Sequence, residues 1–365
     1  SAQTVIINSI PATQVIFNNS PVCVGAEVNL TTSSINGATY AWYADAGLTT
    51  LVATTQNATI RNITTDSIFY LTITVNGCTS LAGSTLVTVH PIPATPSVPA
   101  DFAVCAGDAI VLTTTTQAAG YNWTGPNGFQ SNLQSPSVVS STVIDSGRYT
   151  LFIVDNNGCQ SGDTSVLVQV NERPLQPVLA SNSAICAGDA LVLSTTDTAA
   201  LYQWIAPNGA DTLTTVASLT IDSMNAFYQA GDWTLVVLNG AGCASAVSGI
   251  QTVIINSIPA TQVIFNNSPV CVGAEVNLTT SSINGATYAW YADAGLTTLV
   301  ATTQNATIRN ITTDSIFYLT ITVNGCTSLA GSTLVTVHPI PATPSVPADF
   351  AVCAGDAIVL TTTTQ

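Results

Sequence analysis

Short runs of alternating apolar and polar residues make up most of this chain, and no run has the period of an amphipathic helix with a cap. Examples are Ser84–Val89 and Thr150–Val154. The runs end at Gly, Asn or Pro, such as the pair Asn76-Gly77, which favours a two-residue hairpin turn. Alternation with a period of two is typical of β-strands that bury one face. The pattern therefore predicts an all-β protein.

A set of short motifs recurs in the same order and defines domains of about 80 residues. Each set begins with the pattern C-x-G, at Cys23, Cys105 and Cys186. An Asp-Ser corner, as in Asp66–Tyr70 and Asp145–Tyr149, then precedes a strand that ends in a Gly-Cys turn. A Trp lies 18 or 19 residues after each C-x-G cysteine and is expected in the core: Trp42, Trp123 and Trp204. Short strands, a core Trp and a tyrosine corner predict immunoglobulin-like (Ig-like) β-sandwiches.

Residues Gln3–Gln117 recur without a difference as Gln251–Gln365, at an offset of 248 residues. The fold class is therefore predicted as an all-β tandem array of Ig-like β-sandwich domains, in an identical three-domain cassette of 248 residues. Residues 1–10 are predicted as the last strand of a preceding Ig-like domain, and residues 340–365 as a partial domain that copies the start of domain 2. The complete domains are predicted as domain 1 (11–91), domain 2 (92–173), domain 3 (174–258) and domain 4 (259–339), an identical copy of domain 1.

The composition excludes several classes of protein. Only 6% of the residues are charged, 47% are hydrophobic, and the net charge is −15. The four cations are all arginines, too few for a nucleic-acid-binding patch. The sequence contains no run of 18 apolar residues, so no membrane span is predicted. The acids are scattered, and His90 and His338 are one position seen twice in a Pro-rich joint. We therefore predict no enzyme activity and no catalytic, metal or cofactor site.

The order C-x-G, Tyr-x-Trp, Asn-Gly-Cys resembles the tandem Ig-like/PKD-like repeat modules of giant surface adhesins of gliding bacteria. These adhesins are exported by type IX secretion, and the grappling-hook filament proteins are similar in style. The resemblance covers essentially the whole chain. It implies an extracellular location, in a cell-surface appendage, and a role in adhesion.

The nine cysteines recur in two fixed contexts per domain, which predicts a disulfide framework formed in an oxidising compartment. In an Ig-like sandwich the C-x-G turn and the Gly-Cys turn lie at opposite ends, and in a linear string the C-x-G end of one domain meets the Gly-Cys end of the next. This topology favours inter-domain bonds, namely Cys23–Cys159, Cys105–Cys243 and Cys186–Cys326. The alternative is intra-domain pairing, namely Cys23–Cys78, Cys105–Cys159, Cys186–Cys243 and Cys271–Cys326.

Asp-Ser or Asp-Thr followed by an apolar residue resembles the O-glycosylation signal used by the same group of bacteria. The same pairs are also common in turns, so a structural role is the alternative. The candidate acceptors are Ser67, Thr198, Thr212, Ser223 and Ser315.

The leading functional hypothesis is the structural repeat region of a giant secreted fibre or adhesive appendage. Its neutral surface would let identical chains assemble into a homo-oligomeric filament that attaches to cells or surfaces. A second hypothesis is that the Ig-like modules themselves bind glycans or a receptor on prey, host or surface. A third is a spacer in a large secreted enzyme.

Overall fold

The computed structural model of the chain describes residues 3–222, 230–346 and 348–362. The chain divides into two compact units, residues 1–173 and residues 174–365. Each unit is described by itself. The described residues form 36 short strands and two 3₁₀ turns, and no α-helix occurs among them.

Domain 1 is a sandwich of two antiparallel sheets. One sheet has the order β1-β3-β6, and the other has the order β5-β4-β7 with both β8 and β9 on β7. A short parallel pair, β2 with β10, closes one end. The strands are β1 Phe17–Asn18, β2 Val22–Cys23, β3 Val28–Thr31, β4 Thr39–Tyr43, β5 Leu51–Ala53, β6 Ala58–Ile60, β7 Ser67–Val75, β8 Cys78–Thr79, β9 Gly83–Val87 and β10 Val89–His90.

The turn between β7 and β8 is formed as the sequence predicts. Asn76 and Gly77 both have positive φ, 47° and 80°, which is the backbone of a type I′ hairpin turn. Val75 pairs with Cys78 on either side of it. The turn therefore fixes Cys78 at the end of the longest strand of the domain.

Domain 2 has a five-stranded sheet of order β11-β17-β16-β13-β14 and a two-stranded sheet of β12 and β15. The first strand pairs in parallel with the last, as β2 does with β10 in domain 1. The strands are β11 Phe102–Cys105, β12 Ile110–Val111, β13 Gly120–Thr124, β14 Gln130–Ser131, β15 Ser137–Val138, β16 Gly147–Val154 and β17 Thr164–Asn171, with 3₁₀ turns at Pro126–Gly128 and Val143–Asp145.

Domain 3 repeats this plan with sheets β18-β20-β23, β19-β26 and β22-β21-β24-β25. Its strands are β18 Ala180–Ser181, β19 Ile185–Cys186, β20 Leu191–Ser194, β21 Leu201–Ile205, β22 Asp211–Thr214, β23 Ser218–Ile221, β24 Gly231–Leu238, β25 Gln251–Val253 and β26 Ile255–Asn256.

Domain 4 has the topology of domain 1, as its identical sequence requires. Its strands are β27 Phe265–Asn266, β28 Val270–Cys271, β29 Val276–Thr279, β30 Thr287–Tyr291, β31 Leu299–Ala301, β32 Ala306–Ile308, β33 Ser315–Val323, β34 Cys326–Thr327, β35 Gly331–Val335 and β36 Val337–His338. No strand follows β36 within residues 339–346 and 348–362.

Each domain encloses one hydrophobic core around a fully buried Trp. The four tryptophans are Trp42, Trp123, Trp204 and Trp290, and all have no exposed surface. Alternate residues of the flanking strands complete the cores, such as Leu71 and Ile73 of β7. The sequence prediction that these tryptophans are core residues is confirmed. Four separate cores explain why a chain of low charge is so rich in apolar residues.

The tyrosine corner forms in domain 2 but not in domain 1. The Tyr149 hydroxyl is buried and donates a hydrogen bond of 2.9 Å to the Asp145 carbonyl. Burial, with a smaller contribution from the Asp145 charge, raises the pKa of Tyr149. In domain 1 the register Trp42↔Leu71 matches Trp123↔Leu151 of domain 2, which places Phe69 rather than Tyr70 at the corner.

Tyr149→Phe is expected to destabilise domain 2 by about 1 kcal/mol, because the variant leaves the Asp145 carbonyl without this donor. Urea unfolding of the full chain measures the change. Tyr70→Phe is the matched control, since Tyr70 lies on the outer face of its sheet, and its expected effect is below about 0.5 kcal/mol. Equal effects of the two substitutions would contradict this assignment of the corner.

Identical sequences adopt different structures at more than one place in the chain, and residues 251–256 with their copies are one of them. Residues 251–256 form β25 and β26, whereas their copies at residues 3–8 form no strand. In domain 3, Val253 pairs with Gly231 and Ile255 pairs with Ile185. No equivalent partner strand faces residues 3–8 within the described part of the chain. The difference therefore comes from the surroundings and not from the local sequence.

None of the helices in the described residues has the length and apolar character needed to cross a membrane.

Candidate functional site

Each domain has a C-x-G pole, which is the end that carries the C-x-G cysteine. In domain 1, Cys23 ends β2 and pairs with His90 of β10. Gly25 has a φ of 84°, and its amide donates to the Ile63 carbonyl at 2.7 Å. Most side chains are strained at this φ, so the glycine of the motif allows the tight turn after the cysteine. The motif thereby holds Cys23 at the tip of the sandwich.

The opposite end of each domain is its Gly-Cys pole. In domain 2 the Asp155 carboxylate accepts hydrogen bonds from the Cys159 amide at 2.8 Å and the Asn157 amide at 2.9 Å. The Cys159 hydrogen bond is the main cause of a lowered pKa of Asp155, and the charge of His90 lowers this pKa further. His90 has no role in the sequence analysis, yet it stands at the junction of domains 1 and 2. Its sequence position in a Pro-rich joint gives no sign of this electrostatic interaction with Asp155.

Disulfide bonds join the poles of neighbouring domains. Cys23 is bonded to Cys159 with a Cα–Cα distance of 5.6 Å. The bond Cys186–Cys326 has the same Cα–Cα distance and joins domain 3 to domain 4. Both are pairings that the topology of an Ig-like string favours. Cys105 and Cys243 are also disulfide-bonded, and the pairing Cys105–Cys243 stays a prediction.

The alternative intra-domain pairing is wrong for all four pairs considered, Cys23–Cys78, Cys105–Cys159, Cys186–Cys243 and Cys271–Cys326. Cys23, Cys159, Cys186 and Cys326 have inter-domain partners, and Cys78, Cys271 and Cys353 are free. The physical reason is length. The nine residues of β7 separate the two poles of domain 1, a span of about 30 Å at roughly 3.3 Å per residue. A disulfide bond needs Cα atoms within about 7 Å.

The candidate O-glycosylation residues lie at the surface or at strand starts. Thr198 and Thr212 are exposed, and Ser67 and Ser315 are partly buried. Ser67 and Ser315 donate to the Thr65 and Thr313 carbonyls at 3.0 Å. Ser223 lies outside the described residues.

Two of the aspartates that precede these acceptors bind the backbone of segments that are distant in sequence. Asp66 accepts from the Val89 amide at 2.7 Å, and Asp197 accepts from the Val178 amide at 2.9 Å. The latter hydrogen bond is the main cause of a lowered pKa of Asp197. A structural role therefore accounts for both aspartates, and the glycosylation of Ser67, Thr198, Thr212, Ser223 and Ser315 stays a prediction.

One sheet of domain 1 presents a neutral outer face. Its strands β4, β5, β7 and β9 contain no charged residue. Ile68 and Leu86 face each other across β7 and β9 and are 45% and 57% exposed. The tyrosines Tyr43 and Tyr70 pair on the same sheet. The face recurs in domain 4, where Ile316 and Leu334 have the same exposed fractions.

No group of three or more His, Cys, Asp or Glu side chains that could hold a metal occurs among the described residues. Phe129, an aromatic residue of a surface turn, packs edge-on against Tyr149 with ring centroids 5.3 Å apart. Its ring is therefore part of the domain 2 packing. The candidate functional features are therefore the two disulfide-bonded junctions and the neutral outer faces of domains 1 and 4.

Residues 11–91 and 259–339 match the family model described as "Ig-like domain CHU_C associated". These are the ranges that the sequence analysis assigns to domains 1 and 4. The chain is a tandem array of Ig-like domains. No curated protein matches the chain in sequence.

Solved Ig-domain structures are similar at low identity. Murine CEACAM1b is 17% identical, with a TM-score of 0.29, over 42% of this chain and 96% of its own. Drosophila OTK extracellular domains 3–5 are 13% identical, with a TM-score of 0.29, over 66% of this chain and 95% of theirs. The titin I-band fragment I67–I69 is 11% identical, with a TM-score of 0.32, over 66% of this chain and 98% of its own.

Proposed function

We propose that this tandem Ig-like array is the structural repeat region of a secreted cell-surface fibre or adhesive appendage. The observation that carries the proposal is the position of the disulfide bonds. Cys23–Cys159 and Cys186–Cys326 connect consecutive domains end to end. When the chain is pulled, the force passes through such a bond, so the residues between its two cysteines are not stretched. This is the property that a fibre under load requires.

Other features support the proposal. The disulfide bonds and the Ig-like fold fit an extracellular protein. The family matched by domains 1 and 4 is linked to type IX secretion, which supports export by that route. An identical cassette adds length to a fibre without changing its contacts. The four cysteines that join domain 1 to domain 2 and domain 3 to domain 4 are held in disulfide bonds and are not nucleophiles, and we propose no enzymatic role.

Stretching single chains tests the load-bearing role. The bond Cys23–Cys159 spans 136 residues and Cys186–Cys326 spans 140. At roughly 3.5 Å per extended residue, each bond keeps about 480–490 Å of chain from extending. We therefore expect the full extension to increase by roughly 970 Å after reduction. Cys78→Ser, which removes a free thiol, is the control and leaves the oxidised extension unchanged. An oxidised chain that extends as far as the reduced one would contradict the proposal.

We also propose that identical chains associate side by side into a homo-oligomeric filament through the neutral outer faces of domains 1 and 4. Burial of apolar residues such as Ile68 and Leu86 favours association. The net charge of −15 opposes it, and this repulsion weakens as salt shortens the Debye length. Attachment of the filament to prey, host or surface glycans is part of the same proposal.

Ile68→Arg with Ile316→Arg is expected to reduce self-association at least tenfold, because burial of two unpaired cations in the interface costs more than the small decrease of the −15 net charge gains. Sedimentation velocity over a range of chain and salt concentrations measures the dissociation constant. Val216→Arg is the matched control, since Val216 is exposed on domain 3 outside the neutral faces. A wild-type chain that stays monomeric in high salt would contradict lateral assembly.

A further inference from the structure

The Gly-Cys pole of domain 1 carries the free thiol of Cys78. We define the Cys78 pole as the turn Asn76–Cys78 together with the segment Val5–Asn8. The same residues occur in domain 4 as Asn324–Cys326 with Val253–Asn256. In that copy the cysteine is bonded to Cys186 of domain 3. The chain thus contains the same pole in a free and in an occupied state.

The free pole already has the geometry of the occupied one. The Asn8 side chain donates to the Asn76 carbonyl at 3.0 Å, and Asn256 donates to the Asn324 carbonyl at 3.1 Å. The Cys78 sulfur lies 3.5 Å from the Asn8 carbonyl oxygen. The occupied pole differs little, because the Cys326 sulfur lies 3.9 Å from the Asn256 carbonyl oxygen. Little rearrangement is therefore needed before a partner binds.

The segment that precedes the free pole exposes residues that are core residues in its copy. Val5 is 81% exposed, whereas Val253 is 1% exposed within the core of domain 3. Ile7 is similarly exposed, whereas Ile255 packs against that core. Exposed Val and Ile in a segment with strand-forming sequence are a site for strand addition. In the copy, residues 251–256 pair with two strands of domain 3: Val253 pairs with β24, and Ile255 pairs with β19.

We propose that the Cys78 pole is a docking site for another Ig-like domain of the domain 3 type. This domain pairs its strands with residues 3–8, covers Val5 and Ile7, and bonds its C-x-G cysteine to Cys78. The bond forms by thiol–disulfide exchange with a disulfide such as oxidised glutathione. The two thiols lose two protons and two electrons, and the glutathione disulfide is reduced to two thiols. The inference goes beyond the proposed function, since it holds whether or not chains associate laterally.

The test is a chain extended at residue 1 by a copy of residues 172–248, so that Ser1 and Ala2 take the positions of Gly249 and Ile250 before Gln3. Three substitutions remove the other cysteines that are free: Cys271→Ser and Cys353→Ser in the chain, and Cys243→Ser within the added copy. The two cysteines whose pairing is tested are then Cys78 and the added copy of Cys186. After refolding in a glutathione buffer, intact mass counts the thiols that react with N-ethylmaleimide. We expect no reactive thiol, because the added copy of Cys186 is bonded to Cys78. Two reactive thiols in the folded chain would overturn the proposal.

The matched control carries Cys186→Ser within the added copy and should show one reactive thiol, at Cys78. Non-reducing electrophoresis distinguishes a bond within one chain from a bond between two chains. A bond of Cys78 to the added copy of Cys186 supports the proposed docking site in both cases. A disulfide-linked dimer that the control also forms would be a Cys78–Cys78 bond and would overturn it. Hydrogen exchange at Val5–Ile7 is a second measurement. Its amides become protected in both extended chains, and exchange as fast as in the original chain would overturn the strand pairing.

Discussion

Cys326→Ser is expected to lower the free energy of unfolding of domain 4 by about 2–4 kcal/mol, whereas Cys78→Ser changes that of domain 1 by less than about 0.5 kcal/mol. The two substitutions replace the same residue in the same sequence. They differ because Cys326 is bonded to Cys186, while Cys78 is free. The pair of variants thus isolates the contribution of the inter-domain bond.

The magnitude follows from the chain that the bond restrains. When domain 4 unfolds on a folded domain 3, Asn256 stays beside Cys186 because β26 pairs with β19. The bond then closes a loop from Asn256 to Cys326, 70 residues apart. A loop of this length has lost about 4 kcal/mol of conformational free energy by the chain-entropy formula. The unfolded state is destabilised by that amount, and the folded domain gains stability relative to it.

Differential scanning calorimetry of the full chain measures both effects. For a domain of this size, 1 kcal/mol corresponds to a shift of roughly 4–8 °C in Tm. The transition of domain 4 should therefore move down by about 10 °C or more in Cys326→Ser. A reducing agent should produce the same shift in the wild type and none in the variant's domain 4 transition. Equal scans for Cys326→Ser and Cys78→Ser would mean that the bond adds no stability.

The sequence predicts the sandwich architecture because its signals are local and repeated. The Asn76-Gly77 turn requires positive φ at both positions, and the structure has it. The core tryptophans recur 18 or 19 residues after the C-x-G cysteines and are buried. Each of these features depends on a few neighbouring residues. The pattern occurs in three domains of different sequence, which supports it more strongly than a single match would.

The corner of domain 1 shows where local pattern fails. Asp66–Tyr70 has the spacing of Asp145–Tyr149, yet the structure places Phe69 at the corner and Tyr70 on the outer face. The Asp66 carboxylate instead accepts from the Val89 amide. Strand register decides which residues face the core, and a one-residue difference reverses the faces. Register depends on partner strands that are distant in sequence, so the motif alone could not give it.

The electrostatic effect of His90 and the structure of residues 3–8 depend on interactions between domains. His90 affects Asp155 of the next domain, which lies far away along the chain. Residues 3–8 and 251–256 have the same sequence but different structures. Local patterns therefore predict the domains and two of the inter-domain bonds, but they do not predict the effect of His90 or the structure of residues 3–8.

Trp42→Ala is expected to destabilise domain 1 by about 3–5 kcal/mol, since it removes the largest side chain of a close-packed core. A domain of about 80 residues has a total stability of roughly 4–12 kcal/mol. The loss is therefore a large part of what holds domain 1 folded. Trp290→Ala should have the same effect on domain 4. Urea unfolding followed by circular dichroism measures both.

The phenylalanine variants separate the hydrogen bond of the indole from its packing. The Trp42 Nε1 donates to the Thr55 carbonyl at 2.9 Å, whereas the buried Trp123 Nε1 has no hydrogen-bond partner among the described residues. Trp42→Phe leaves a buried carbonyl without its donor, and Trp123→Phe removes an unpaired donor whose burial costs about 1–3 kcal/mol. We therefore expect Trp123→Phe to destabilise its domain less than Trp42→Phe does, by at least about 1 kcal/mol. A larger loss in Trp123→Phe would mean that packing around the indole outweighs its polar group.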